Sequence, residues 1–416
     1  MRNATETDYL IHKNILADND SAFIFYKEKF KENLRHLKSA FTKYYPNVVI
    51  GYSYKTNYTP DVCLAAHEEG AMAEVVSEME VEMALHHLKD HSQIIYNGPT
   101  KSKPSIEKVI IAGGIINIDS QKDIEIIRGI LAENSKLTVN VAFRLNSNYG
   151  EIYSRFGQRD EDVTEQIDLL KRDEQFKIIG LHLHLPHRSL ESFAHRVDVL
   201  IDILGKIDLP NIKYINVGGG YFGKLSSVLK QSLGVKSAPS YEDYGELIGG
   251  RLFEFFSKKN IGNAPILYLE PGSSVIADCF TFVSKLHVLK SFQNRNILVS
   301  FAGRHLLTPT NKTIKLPCEI VNTQAQIDKL TSKKTQYEIV GYTCIESDIL
   351  GFVEGNVNLD LDNSFVEFTN VGSYSIVMGS NFILPEPPIF RIDGENKIKT
   401  IRKRREARDV LNQFLL

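Results

Sequence analysis

The chain has 416 residues, which suits one large domain with a smaller companion better than a single small fold. Forty-nine lysines and arginines against 51 acids leave a formal charge of −2, so no broad basic field exists to hold nucleic acid or an anionic membrane. Cys63, Cys279, Cys318 and Cys344 form no C-x-x-C pair, no apolar run is long enough to cross a bilayer, and the first residues lack a secretory pattern; a cytoplasmic protein is expected.

The first helix is predicted over Lys27–Phe41, where Phe30, Leu34, Leu37 and Phe41 recur at helical spacing. A strand follows at Val48–Tyr52, and Thr59 with Pro60 then reads as an N-cap with proline at the first helical position. Further strand-like runs stand at Ala73–Val76, Gln93–Tyr96, Ile115–Ile118, Val139–Arg144, Ile178–His184, Tyr214–Val217 and Ile266–Glu270. Helical periodicity fills most of the intervals, as at Val81, Ala84, Leu85 and Leu88. Eight such units predict a (β/α)8 TIM-like barrel over residues 23–275. Chemistry in that fold gathers where strands end, and Lys55, Ser77, Asn97, Asp119, Arg144, His184, Gly218 and Glu270 all fall there.

Beyond residue 275 the texture turns strand-rich, at Phe280–Leu289, Ile297–Phe301 and Tyr337–Thr343, with a hairpin expected around Asp362 and Asn363. Residues 276–416 therefore read as a β-rich C-terminal domain, with 1–22 packing on it and a basic helix over Lys397–Arg408.

Several constellations can carry chemistry. Lys55 follows a buried strand, where desolvation would favour a neutral, nucleophilic amine able to form a Schiff base; the plainer reading is a snorkelling lysine. Gly218-Gly219-Gly220 follows the seventh strand, so its amides can approach a phosphate closely, as barrel phosphate sites do; a plain glycine turn is the alternative. His182 and His184 share one strand face, which permits a metal site with Glu270, or one imidazole stacked on an aromatic cofactor and a core histidine at 182. Glu270 suits a pyridine nitrogen as its proton partner, or a surface salt bridge. Cys344 is either a thiol that exchanges protons or an inert buried cysteine.

These residues, taken together and in this order from Phe23 to Pro385, resemble the fold-type III pyridoxal phosphate (PLP) decarboxylases, the family of diaminopimelate and ornithine decarboxylases. Tyr52–Asn57 resembles the family's Y-x-x-K-A-N, which implies Lys55 as the cofactor lysine. Glu74–Ser77 with Glu80 is similar to D-V-x-S-x-x-E, Arg155-Phe156-Gly157 to K-F-G, and Gly180–His184 to G-x-x-x-H, which implies His184 as the ring-stacking imidazole. The resemblance also implies phosphate binding by Gly218, Gly219 and Gly220, a pyridinium partner in Glu270, and a phosphate neighbour in Tyr374 of Gly372-Ser373-Tyr374. Cys344 with Asp348 is similar to C-x-x-x-D, which implies a homodimer with shared active sites and Cys344 as proton donor.

The departures fall on phosphate and substrate contacts. Pro186 and His187 follow where the family has G-S, and Ser273 replaces the arginine of E-P-G-R, with Arg188 and Arg304 as candidate substitutes. Ile345 replaces an acid that binds the substrate's distal amine, with Glu346 one place on, and Thr308 stands where a distal-carboxylate arginine is expected. Arg155, Arg304, Glu346 and Asp348 are the candidate substrate-binding residues. The expectation is PLP-dependent decarboxylation of an amino acid or amino-acid-derived carboxylate other than standard diaminopimelate, without a metal. A racemase on the same fold, a metal-dependent barrel hydrolase and a cofactor-binding protein without turnover are the alternatives.

Overall fold

The chain enters through a helix, α1 (Glu6–Ala17), and a strand, β1 (Ser21–Tyr26), before α2 (Lys27–Thr42) leads to the first barrel strand. The computed structural model describes residues 6–151, 154–207, 212–258, 264–310, 314–322, 334–356 and 359–414. They fall into two units. One comprises Lys31–Gly223 and Ala238–Val275; the other comprises the chain up to Phe30, Lys224–Ser237 and everything from Ile276 onward.

In the first unit β2 (Val48–Ser53), β3 (Met72–Val75), β4 (Ile94–Tyr96), β5 (Ile115–Ile118), β6 (Val139–Arg144), β7 (Phe176–His182), β8 (Tyr214–Asn216) and β9 (Ile266–Leu269) form a closed parallel barrel. Val48 opposite Leu267 closes it. The strands read as continuous apolar runs because each is covered on both sides, by side chains within and helices without. Ile95, Ile115, Ala142, Tyr214 and Tyr268 form one core cluster. This is the predicted TIM-like barrel.

The helices follow from their sequences. Pro60 opens α3 (Pro60–Glu68) as predicted, but the Thr59 hydroxyl donates to Asn57 Oδ1 (2.7 Å) and caps nothing. Ser77 accepts from the Glu80 amide (3.2 Å) and so starts α4 (Glu78–His87); this strand-end serine is a helix cap. The helices α5 (Lys103–Ala112), α6 (Gln121–Glu133) and α7 (Asp160–Leu170) come next, and then α8 (Leu190–Lys206). The buried stripe of α8 is Phe193, Val197, Leu200 and Leu204, and it includes a charged residue, Arg196.

The second unit is built on a mixed sheet. Its order is β14 (Ile349–Asn356), β13 (Lys334–Val340), β11 (Arg295–Ser300), β10 (Phe280–Phe292), β1, β16 (Ile389–Ile392) and β17 (Ile398–Arg402); β15 (Ser364–Thr369) pairs with β10 and carries β12 (Cys318–Asn322). Tyr9, Ile15 and Leu16 of α1 pack with Ala22, Ile24, Val283, Phe365 and Ile392. Phe23–Tyr26, expected in the barrel, belongs here, because β1 lies between β10 and β16.

Two further expectations are corrected. The segment around Asp362 and Asn363 turns, tied by Asp360, but joins no hairpin: β15 pairs with β10 and β12, which buries Phe365, Val366 and Phe368. The basic tail is not a helix over Lys397–Arg408. Ile398–Arg402 is an edge strand on β16 and only Ala407–Leu411 is helical; lysine and arginine suit an edge because they discourage further pairing. Among the described residues no helix is long and apolar enough to cross a membrane.

Candidate active site

The strand ends of the barrel deliver polar side chains to one connected network. Lys55, just after β2, places Nζ 2.8 and 3.0 Å from the two oxygens of Glu74, the penultimate residue of β3. Asn97, just after β4, donates from Nδ2 to Glu74 Oε1 (2.8 Å) and to Glu270 Oε1 (2.8 Å). Lys55 and Glu270 are thus joined through one carboxylate and one amide. Asn216 at the end of β8 adds a bond to Glu270 Oε1 (2.6 Å), and Asn117 in β5 donates to Asn97 Oδ1 (2.5 Å) and to the Tyr214 hydroxyl (3.0 Å). Glu74, Asn97, Asn117, Asn216 and Glu270 are buried.

Glu270 is held ionised. Burial pushes its pKa up, but His182, whose Nε2 is 3.4 Å from Oε2, together with Lys55 and Asn97, outweighs burial and sets it well below the usual carboxylate range. Lys55 corrects its expectation. Its side chain is 43 % exposed and paired with a carboxylate, so the amine is gripped rather than desolvated.

The glycine loop fits closely against this network. A Cβ on Gly219 would lie 2.2 Å from the Glu270 carbonyl oxygen, and one on Gly218 (φ +69°) would lie 2.6 Å from His184 Nδ1, so neither position admits a side chain. Gly218 N–H donates to Asn216 Oδ1 (2.8 Å) and Gly219 N–H to His184 Nδ1 (3.1 Å). His184 therefore carries its proton on Nε2. Burial, then the charges of Arg196, Arg144 and Lys55, hold its pKa well below the ordinary value, so the ring is neutral.

Other predicted residues have different surroundings. Asp119 accepts from Arg144 (2.9 Å) and from the Gly157 amide (3.2 Å), a buried pair that ties β5 to β6. Arg155 is exposed and lies over the Phe156 ring (4.3 Å). Arg188 lies over the Phe222 ring (5.5 Å), beside the glycine loop. In the sheet unit, Cys344 and Glu346 are exposed on the loop between β13 and β14. Asp348 on the same loop is buried and accepts from the Arg304 amide (3.0 Å) and the Thr343 hydroxyl (2.5 Å), while Arg304 Nη1 donates to the Ser347 carbonyl (2.9 Å). Arg304, Thr308, Ile345, Asp348, Met378 and Phe382 border a cavity of about 330 Å3. Tyr374 is half-buried with φ +66°, a conformation a non-glycine residue rarely holds without a local reason.

Among the described residues no three His, Cys, Asp or Glu side chains are placed to hold an ion. Sequence reading missed Asn117, Asn216 and Arg196. The signal was present in each case, an amide inside the apolar runs of β5 and β8 and a charge in the apolar stripe of α8.

An aldehyde-bearing phosphate ester with a basic aromatic ring fits these residues. They offer one solvent-facing amine at Lys55, one buried carboxylate held ionised, one neutral imidazole and a glycine cradle that a Cβ would fill. The family model described as the pyridoxal binding domain of pyridoxal-dependent decarboxylases matches residues 28–277, over half of the chain. The chain is 24 % identical over 388 residues to a diaminopimelate decarboxylase of Bacteroides thetaiotaomicron, covering 88 % of this chain and 94 % of that one. It is 23 % identical over 409 residues to the diaminopimelate decarboxylase of Methanothermobacter thermautotrophicus, covering 94 % and 90 %. The crystal structure of diaminopimelate decarboxylase from M. jannaschii in complex with L-lysine superposes with a TM-score of 0.81 at 21 % identity, covering 98 % of this chain and 94 % of that one. A lysine/ornithine decarboxylase from Vibrio vulnificus in complex with putrescine gives 0.72 at 15 % identity, covering 90 % and 95 %.

Proposed function

Since this chain belongs to the family of pyridoxal-dependent decarboxylases, we propose that it removes the α-carboxylate of an amino acid or amino-acid-derived carboxylate other than standard diaminopimelate, at the barrel mouth around Lys55. The Lys55–Glu74–Asn97–Glu270 chain of contacts carries this reading. When bound, pyridoxal phosphate supplies an aldehyde that links to an amine and a cationic ring that takes up the electron pair a departing carboxylate leaves behind.

Lys55 supplies the amine, and its surplus proton has Glu74 2.8 Å away as acceptor. Glu270, ionised and gripped by Asn97 and Asn216, would hold the ring nitrogen protonated. His184 would hold the ring, and Gly218, Gly219 and Gly220 the phosphate. Cys344 would return a proton to the carbon that lost CO2. Its exposure supports delivery by a second copy of the chain, as does the exposure of Ile345, Met378 and Phe382 around one cavity, apolar surface that a homodimer would cover.

The substrate reading rests on the sheet-unit loop. Both Asp348 oxygens are already engaged, Ile345 stands where a distal amine would want an acid, and Thr308 is uncharged. A screen of amino acids for CO2 release, with meso-diaminopimelate as comparator, tests it. Another amino acid is expected to turn over faster. Preference for diaminopimelate would sink the substrate reading alone, whereas racemisation without CO2 would sink decarboxylation.

A further inference from the structure

Arg196 is completely buried, and among the described residues no carboxylate pairs with it. Its Nη1 donates to the carbonyl oxygens of Val217 (3.1 Å) and Gly219 (2.8 Å), and its Nη2 to those of Leu185 (2.6 Å) and His187 (2.6 Å). The guanidinium lies 3.9 Å over the Phe193 ring, and Nε has no hydrogen-bond partner. Burial lowers its pKa to about 10, which still leaves it charged at neutral pH. A buried cation balanced only by dipoles is costly unless an anion shares its field.

The geometry fixes where such an anion would sit. No peptide bond here is cis, so each N–H points opposite to the carbonyl of its own peptide unit. Arg196 draws the Val217 and Gly219 carbonyls toward itself and so turns the Gly218 and Gly220 amides away. Asn216 accepts the Gly218 amide and His184 the Gly219 amide. The Gly220 amide has no acceptor among the described residues, and a Cβ on Gly220 would lie 3.6 Å from Arg196 Nη2. A free donor and a buried positive charge therefore lie on opposite sides of one peptide unit, whose dipole the charge reinforces.

We propose that Arg196 is a positioning residue that aims the Gly218–Gly220 loop and supplies the buried positive charge for a phosphate monoester dianion there, in place of an arginine after Gly272, where Ser273 stands. The inference rests on the reading of this loop as the cofactor's phosphate site.

The test compares binding of pyridoxal phosphate and of pyridoxal, which lacks the phosphate, to the wild type, Arg196→Met and Arg196→Lys, from the absorbance of the Lys55-linked cofactor. Wild type is expected to favour the phosphate ester strongly. Arg196→Met should lose about tenfold or more of that preference while pyridoxal affinity holds. Arg196→Lys, which keeps the charge but not the fork, should fall between. Equal weakening of both ligands, or an unchanged ratio in whichever variant folds, overturns the proposal. A wild type indifferent to the phosphate would instead overturn the phosphate reading of the loop.

Discussion

Replacing Asn97 with alanine removes the one amide that bridges Glu74 and Glu270 at 2.8 Å each. A hydrogen bond to a charged group contributes about 1.5–3 kcal/mol, so losing both costs about 3–6 kcal/mol, and both acids stay buried without that donor. For a unit of this size each kcal/mol moves the midpoint by about 2–4 °C, so even the lower figure lowers the melting temperature by roughly 6–12 °C. Differential scanning calorimetry without cofactor at pH 7 reads this directly. Asn97→Asp sharpens the test by placing a third acid between two carboxylates. Its folded-state pKa is raised by like charge, so its penalty is small below the unfolded value near 4 and grows as pH rises through the folded one. A fall under about 2 °C for the alanine variant, or a penalty for the aspartate variant that ignores pH, refutes the account of this network.

Lys55→Ala should abolish covalent cofactor attachment, checked by mass spectrometry after borohydride reduction; an adduct elsewhere on the chain would remove the central assignment. Cys344→Ala should impair correct protonation of the product more than cofactor binding, and mixing it with Lys55→Ala should restore activity if sites are shared between two copies. Unchanged rate and product, or no complementation, counts against Cys344 and the shared site respectively. Burial raises the Glu80 carboxyl to about 7. Raised in the fold, it gives stability that is full below its ordinary value near 4.5 and lost as pH rises through 7, about 3 kcal/mol in all; Glu80→Gln should flatten the wild-type decline in urea midpoint between pH 5 and 8. Gly219→Ala drives a Cβ into the Glu270 carbonyl at 2.2 Å and should cost about 1–3 kcal/mol or more together with most of the affinity for pyridoxal phosphate, measured by equilibrium dialysis.

Most of the barrel's strands and helices were legible from local pattern. Apolar runs alternating with amphipathic stretches specify parallel strands and helices in order, and eight such units fit the closed barrel that forms. The strand-end positions of Lys55, Gly218 and Glu270 were legible because each closes a buried apolar run. Local pattern could not choose sheet partners: Ile398–Arg402 looks helical by composition and pairs with β16 because that edge is open. Nor could it say that Asn97 joins two acids donated by β3 and the end of β9, or that Arg196 reaches four carbonyls on two loops. Those contacts span tens to hundreds of residues, and only the closed barrel brings their ends within hydrogen-bonding distance.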